Sequence, residues 1–256
     1  MMTKEDVHAL ARRWQIDTFT ILREYVQVLF LYHLYGIKGS DRLFFKGGTA
    51  IRFLLGSFRF SEDLDFTSAH PSPETRKLLE EATRKLQREL PRVELGSFAT
   101  KEKSLTARLR YVPEGASYPL TVHLEASLRE KPLTRAVSPI ETLYPISPYP
   151  VATHLAAEEI MAEKVRALIK RTKGRDLFDL WFLFSKGIRL DWKMVDKKMH
   201  FYGEKVGPED LISKIEMASQ ETFSKDLAQF LPRQHRPLVG ALKEKVLEKL
   251  KAGLGV

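Results

Sequence analysis

The stretch that decides the fold runs from Phe44 to Phe66 and reads Phe-Phe-Lys-Gly-Gly-Thr-Ala-Ile-Arg-Phe-Leu-Leu-Gly-Ser-Phe-Arg-Phe-Ser-Glu-Asp-Leu-Asp-Phe. After the glycine pair, residues 49–55 predict a short helix. Residues 59–67 predict a strand, because Leu64 and Phe66 alternate with Asp63 and Asp65. A glycine turn, a short helix and an acidic strand therefore follow one another directly.

The two aspartates of this strand are candidate metal ligands. Alternation places Asp63 and Asp65 on one face, about 6 to 7 Å apart along the backbone, where both can reach one cation or a pair of cations. Gly47 and Gly48 let backbone N–H groups approach an anion, and the N-terminus of the following helix favours negative charge. Each feature also has a structural explanation, as the polar face of an exposed strand and as a turn that begins an ordinary helix.

The remainder of the first half predicts a sheet with one buried and one polar face. Residues 6–35 and 72–90 have helical periodicity, and residues 93–95, 106–111 and 120–127 predict strands. In the last two strands, alternation directs Arg108, Arg110, His123 and Glu125 to the polar side. These side chains are expected to share that side with the two aspartates.

The second half predicts a different architecture. Five prolines between Pro132 and Pro150 exclude a long helix and indicate an extended linker with short edge strands. We place the domain boundary here, with domains at 1–135 and 136–256. Helices are predicted at 156–171, 175–185, 208–217 and 237–254. The fold class is thus α/β (α+β), with a small mixed sheet in the N-terminal domain and a mainly helical C-terminal domain.

Lys164 lies in the middle of the apolar face of the helix predicted at 156–171. Ala157, Ile160, Met161 and Leu168 fall within about 60° of it at 100° per residue. Its charge needs a partner, which is either the triphosphate of a nucleotide, a structural carboxylate such as Asp179, or solvent reached by the flexible stem. Periodicity alone predicts that methionine is tolerated at this position. Arg171 lies nearly in line with Lys164, seven residues later.

The composition limits the partners. The chain has 42 Lys and Arg against 33 Asp and Glu, and its formal charge of +9 suits a protein that meets polyanions. Without cysteine, a metal must be bound by carboxylates or histidines, which suits a hard cation such as magnesium. The N-terminus lacks the order of a secretory signal, and the most apolar stretch, 26–35, is too short to span a bilayer. We expect a cytoplasmic protein without membrane contact.

Two blocks of sequence resemble a known family. The first runs from Lys46-Gly47-Gly48-Thr49-Ala50 to Arg59-Phe60-Ser61-Glu62-Asp63-Leu64-Asp65-Phe66 and is similar to the signature of the polymerase-β-like nucleotidyltransferase superfamily. Within that superfamily it resembles the AbiEii/AbiGii toxins of abortive-infection and toxin-antitoxin systems. The second block, residues 162–168 followed by 175–180, resembles the C-terminal signature of the same toxins.

The resemblance implies a metal-dependent nucleotidyltransferase that transfers a nucleoside monophosphate from a nucleoside triphosphate to an acceptor hydroxyl. RNA, particularly tRNA, is the implied acceptor, two Mg²⁺ ions are the implied cofactor, and a cognate antitoxin is a possible partner. The implied metal ligands are Asp63, Asp65 and a third acid, for which Glu125 is preferred and His123 is the rival. Lys164 joins them as a catalytic residue.

The implied nucleotide contacts are Gly47, Gly48, Thr49, Lys164, Arg171 and Asp179, with the C-terminal domain closing over the nucleotide. Two other functions stay open: a catalytically inactive module that binds nucleic acid or an antitoxin, and a kinase-like phosphotransferase that uses the same metal site.

Overall fold

The computed structural model describes residues 2–254. Within them the chain forms two compact units, the first ending at Leu155 and the second beginning at Ala156. The domain boundary predicted from the sequence lies after residue 135. Residues 136–155 belong to the first unit because two strands within them, Ala136–Pro139 and Val151–His154, pair with each other and the second pairs with Leu43–Lys46.

Unit 1 contains a mixed sheet. Its strands are β1 Leu43–Lys46, β2 Asp63–Ser68, β3 Val93–Leu95, β4 Ala99–Lys101, β5 Ser104–Tyr111, β6 Leu120–Ser127, β7 Ala136–Pro139 and β8 Val151–His154. They are arranged in the order β3-β5-β6-β2-β1-β8-β7, with β4 beside β5. The acidic strand β2 is central, parallel to β6 and antiparallel to β1. The predicted fold class, with its small mixed sheet, is confirmed.

Four α-helices complete unit 1 within residues 2–155. They are α1 Lys4–Trp14, α2 Thr18–Tyr35, α3 Gly47–Leu55 and α4 Ser72–Glu89. The continuous helical pattern predicted over residues 6–35 is divided in two, because Gln15 adopts a left-handed conformation (φ 51°) and the side chain of Asp17 accepts a hydrogen bond from the backbone N–H of Thr20, which caps a new helix. Most of α2 is buried, and it packs against α4 and the sheet.

The predicted alternation of the sheet is confirmed by burial. In β6, residues Leu120, Val122, Leu124 and Ala126 are buried, whereas His123 and Glu125 are exposed. The beginning of the acidic strand follows the same rule, since Leu64 and Phe66 are fully buried whereas Asp63 and Asp65 are half-buried. One face of the sheet thus forms the core, and the opposite face carries the polar residues.

Unit 2 consists of helices and the turns between them, and no strand lies in the part of it that the structure describes. Its α-helices are α5 Ala157–Arg171, α6 Gly174–Ser185, α7 Trp192–His200, α8 Pro208–Met217, α9 Gln220–Leu227 and α10 Leu242–Leu254. Two of them, α7 and α9, were not predicted from the sequence. The start of α6 requires glycine, because a Cβ at Gly174 would overlap the backbone carbonyl of Phe223. None of the helices described between residues 2 and 254 combines the length and apolar character needed to cross a bilayer.

Candidate active site

The acidic residues predicted as metal ligands lie side by side on the polar face of the sheet. In the parallel pair β2–β6, Asp65 lies opposite Glu125 and Asp63 lies opposite His123. On the other side of β6, Arg108 lies opposite His123. Residues that are directly opposite on neighbouring strands project to the same face, so the expected common polar face is confirmed.

The glycine pair touches the acidic strand. Gly47, the first residue of α3, has a φ of +80°, which is unfavourable for any residue with a Cβ, and a Cβ there would overlap Oδ2 of Asp65. A Cβ at Gly48 would overlap the guanidinium of Arg59. Glycine is therefore required at position 47 by its backbone conformation, and a side chain at position 48 would need the Arg59 guanidinium to move. The N-terminus of α3 lies directly beside one of the two aspartates. The first N–H groups of any helix lack intrahelical acceptors, so this end of α3 presents donors next to the acids.

The side chain of Thr49, expected to contact the nucleotide, binds the acidic strand instead. The residue is buried, and its hydroxyl donates a hydrogen bond to the backbone carbonyl of Asp63. The hydroxyl thus holds the beginning of the acidic strand. Because the hydroxyl proton is used in this bond, Thr49 would donate to a phosphate through its backbone N–H.

Two further charged residues, Lys46 and Glu130, lie at this site and were not predicted from the sequence. Lys46, the last residue of β1, is opposite Asp65 in the antiparallel β1–β2 pair. Its Nζ lies 3.5 Å from Oε2 of Glu130, and both side chains are largely buried. The position of Lys46 just before the glycine pair was a usable signal. Nothing in the sequence indicates that Glu130 reaches it, because that contact depends on the loop after β6.

Unit 2 contains a compact ionic cluster around Lys164. The Nζ of Lys164 lies 3.0 Å from Oδ1 of Asp176 and 2.8 Å from Oδ2 of Asp179, and both aspartates have fully buried side chains. Lys164 is therefore paired with structural carboxylates, one of the partners considered for it, and Asp176 is an additional partner that sequence reasoning did not select. The predicted nucleotide contacts Lys164 and Asp179 are neighbours.

Arg171 completes this cluster. Its Nε and Nη2 donate to the two carboxylate oxygens of Asp176, at 2.7 and 2.9 Å, although the arginine side chain is about half exposed. Burial by itself would raise the pKa of Asp176, but the charges of Lys164 and Arg171 and the hydrogen bonds from both hold that pKa well below its usual value. Asp176 is thus ionised throughout the neutral range.

The acidic face fits a divalent metal whose coordination is completed by substrate. Among residues 2–254, no three Asp, Glu or His side chains converge into a ready-made metal site. Mg²⁺ in nucleotide enzymes is commonly held by one or two carboxylates, with water and substrate phosphates as the other ligands. Asp63 and Asp65, next to the N-terminus of α3, supply such a partial set of oxygen ligands. Glu125 lies beside them on an exposed position.

Comparison with known proteins is consistent with this arrangement. A family model described as the nucleotidyl transferase AbiEii toxin of a type IV toxin-antitoxin system matches residues 29–249. Among solved structures, MenT4, a nucleotidyltransferase toxin from Mycobacterium tuberculosis H37Rv, is similar with a TM-score of 0.69 and 22% identity, covering 100% of this chain and 91% of that one. JHP933 from Helicobacter pylori is similar with a TM-score of 0.55 and 21% identity, covering 94% and 97%. No curated protein sequence matches the chain.

Proposed function

Because the chain belongs to the AbiEii nucleotidyltransferase toxin family, we propose that it transfers a nucleoside monophosphate from a nucleoside triphosphate to a hydroxyl of RNA, with tRNA as the acceptor. Family membership makes the chain a nucleotidyltransferase of a type IV toxin-antitoxin system, which implies a cognate antitoxin, and members of such families generally use a nucleoside triphosphate and a divalent metal. The identity of the metal as Mg²⁺, the use of two ions and the RNA acceptor are parts of the proposal.

The observation that carries the proposal is the contact between the glycine pair and the acidic strand. The Asp65 carboxylate occupies the space beside Gly47 that a side chain would fill, at the N-terminal end of α3. Donors for phosphate and oxygen ligands for a metal are thereby adjacent within unit 1. A metal-bound triphosphate needs both at once.

The reaction follows from these roles. The acceptor hydroxyl oxygen forms a bond to the α-phosphorus, the bond to the leaving pyrophosphate breaks, and the hydroxyl proton passes to water. Asp63 and Asp65, with Glu125 as the proposed third ligand, would hold the metal, which would supply activation of the hydroxyl and neutralisation of charge on the leaving group. The backbone N–H groups at residues 47–49 orient the triphosphate. Lys164, Arg171 and Asp179 of unit 2 stay proposed nucleotide contacts on the family resemblance.

The RNA acceptor is supported by the charge on the same face. Arg108 and Arg110 are exposed and lie opposite His123 and Thr121, one strand beyond the acids. The net charge of +9 exceeds what one metal-bound triphosphate requires. Contacts between such side chains and phosphates make affinity fall steeply with salt, with a slope of about −0.7 to −0.9 per neutralised phosphate.

The test uses two positions of label in the triphosphate. Wild type with Mg²⁺ should move label from the α-phosphate, and not from the γ-phosphate, onto tRNA in total RNA. The variants Asp63→Asn and Asp65→Asn should lose this transfer by at least about a hundredfold, since each loses a metal ligand, while keeping salt-sensitive tRNA binding. Asp41→Asn is the control, because Asp41 is an exposed acid paired with Arg135 elsewhere.

Other outcomes separate the alternatives. Transfer of γ-label would indicate a kinase-like phosphotransferase. Absence of transfer from either position, with binding retained, would indicate an inactive binding module. Transfer of α-label to a protein or small molecule, with salt-insensitive or undetectable tRNA binding, would refute the RNA acceptor and leave nucleotidyl transfer intact.

A further inference from the structure

The connection between α3 and the acidic strand β2 is held by side chains, because residues 56–62 form neither helix nor strand. Four backbone carbonyls in and next to this connection accept hydrogen bonds from polar side chains. The pairs are Arg52 Nη1 to Ser57 O at 2.9 Å, Arg59 Nη1 to Phe60 O at 2.8 Å, Gln27 Nε2 to Ser61 O at 3.1 Å and Thr49 Oγ1 to Asp63 O. The path of the chain into Asp63 therefore depends on these donors.

One turn of α2 supplies much of this support. Gln27 binds the carbonyl of Ser61, and Arg23, four residues earlier on the same helix face, forms an ion pair of 2.8 Å with Glu62. Between them, Glu24 binds the guanidinium of Arg52 through both carboxylate oxygens, and Arg52 in turn holds Ser57. Two side chains of α2 thus contact the two residues that immediately precede Asp63.

The buried side-chain amide of Gln27 is energetically unfavourable if its role is packing alone. It is fully buried, and its Oε1 has no hydrogen-bond partner within the residues that the structure describes. Burying an amide with one unsatisfied acceptor costs free energy that an apolar side chain of the same length would avoid. We therefore explain the amide by the hydrogen bond that its Nε2 donates, which orients the carbonyl of Ser61.

Arg23 has a complementary effect on charge. Glu62 is a third carboxylate, beside Asp63 and Asp65, in the run Glu62-Asp63-Leu64-Asp65, and it is separated from Asp63 by one peptide bond. Its ion pair with Arg23 directs this carboxylate toward α2. A carboxylate that is paired with Arg23 is a weaker competitor of Asp63 for a cation than an unpaired one, because the arginine already neutralises its charge.

We propose that Arg23 and Gln27 of α2 are positioning residues for Asp63, fixing the two residues before it so that its carboxylate meets a divalent metal in one orientation. The inference rests on the proposed function of Asp63 as a metal ligand. Both residues precede residue 29, where the match to the family model begins, so they lie outside the matched region.

The test compares Gln27→Met with Gln87→Met in the full-length protein. Both glutamines donate a side-chain amide hydrogen bond to a backbone carbonyl near the start of a strand, and Gln87 does so at 2.9 Å to Val93, away from the acids. Amide hydrogen exchange over residues 57–63 and the dissociation constant for Mn²⁺ are measured without substrate. Steady-state kcat and KM for the nucleoside triphosphate are measured with the same tRNA acceptor for every variant.

Gln27→Met should speed exchange over residues 57–63 and weaken Mn²⁺ binding, each by about threefold to tenfold, as expected for the loss of one hydrogen bond. It should lower kcat while KM for the triphosphate stays within about twofold, because the phosphate donors of α3 are untouched. Gln87→Met should change none of these. Equal effects of the two variants, or faster exchange without weaker Mn²⁺ binding, would overturn the proposal.

Arg23 provides a second pair of variants if Gln27→Met does not fold. Arg23→Met should weaken Mn²⁺ binding, and Arg23→Lys, which keeps a charge for Glu62, should restore most of it. If wild type itself binds no Mn²⁺ and transfers no nucleotide, the proposed function fails, and hydrogen exchange still reports whether α2 holds the connection. Unchanged exchange in both Gln27→Met and Arg23→Met would refute the positioning role independently.

Discussion

Replacing Lys164 by methionine should destabilise unit 2 strongly. The ammonium group is paired with Asp176 at 3.0 Å and Asp179 at 2.8 Å, and both carboxylates are fully buried. Methionine would fill the volume of the stem, yet it would leave two buried negative charges without this counter-ion. Helical periodicity alone gives the opposite expectation, because methionine suits the apolar face of α5.

The magnitude follows from burial. Exposed ion pairs contribute about 0 to 1 kcal/mol, whereas removing one partner of a buried pair costs about 3 to 5 kcal/mol. Arg171 also binds Asp176, which offsets part of the loss, so a decrease of about 3 kcal/mol in the free energy of unfolding is expected. Lys170→Met is the matched control on the same helix, since the Lys170 side chain is half exposed and paired with Glu204; it should cost less than about 1 kcal/mol.

The assay is urea denaturation followed by tryptophan fluorescence in a Trp14→Phe background, so that the signal comes from Trp181 and Trp192 of unit 2. Reporting on one unit matters because a chain with two compact units need not unfold in a single step. A loss below about 1 kcal/mol, indistinguishable from Lys170→Met, would refute the reasoning. Adding Asp176→Asn and Asp179→Asn to Lys164→Met should recover much of the stability, because the uncompensated charges are removed.

Two further predictions concern the glycine pair and the ionisation of Asp176. Gly47→Ala should abolish transfer, because the added Cβ meets the Asp65 carboxylate. The control is Gly56→Ala, since Gly56 has a similar φ of +73° but open space around it; this variant should lose only about 1 to 2 kcal/mol of stability to backbone strain and keep its activity. Equal activity in the two variants would contradict this prediction. The pKa of Asp176 is depressed in the folded state, so its ionisation stabilises the fold above the unfolded pKa of about 4, and that stabilisation is lost as the pH falls below it. The difference in unfolding free energy between wild type and Asp176→Asn should therefore be constant from pH 5 to 7 and shrink below pH 4; a difference that stays constant down to pH 2 would show that the depressed pKa is not a feature of the folded state.

The sheet and the acidic face were accessible from sequence because they depend on local periodicity. Alternation in 120–127 and around Asp63 and Asp65 fixes which side chains share a face, whichever strands turn out to be neighbours. The register that sets Asp65 opposite Glu125 is a tertiary property that no local pattern contains. The division between α1 and α2 was missed for a different reason, since the helical period continues across it and only the cap at Asp17 marks the new start.

The ionic cluster of unit 2 shows where periodicity stops being informative. The pattern correctly placed Lys164 on the apolar face of its helix and demanded a partner for its charge. It treated Asp176 as an ordinary acid in the first turn of a helix, a position that complements the helix dipole even when the side chain is solvated. Because α6 packs against α5, that first turn is buried, and Asp176 receives hydrogen bonds from Lys164 and Arg171. The sequence of α5 thus shows that the charge of Lys164 needs a partner, whereas the identity of that partner depends on how α6 packs against α5.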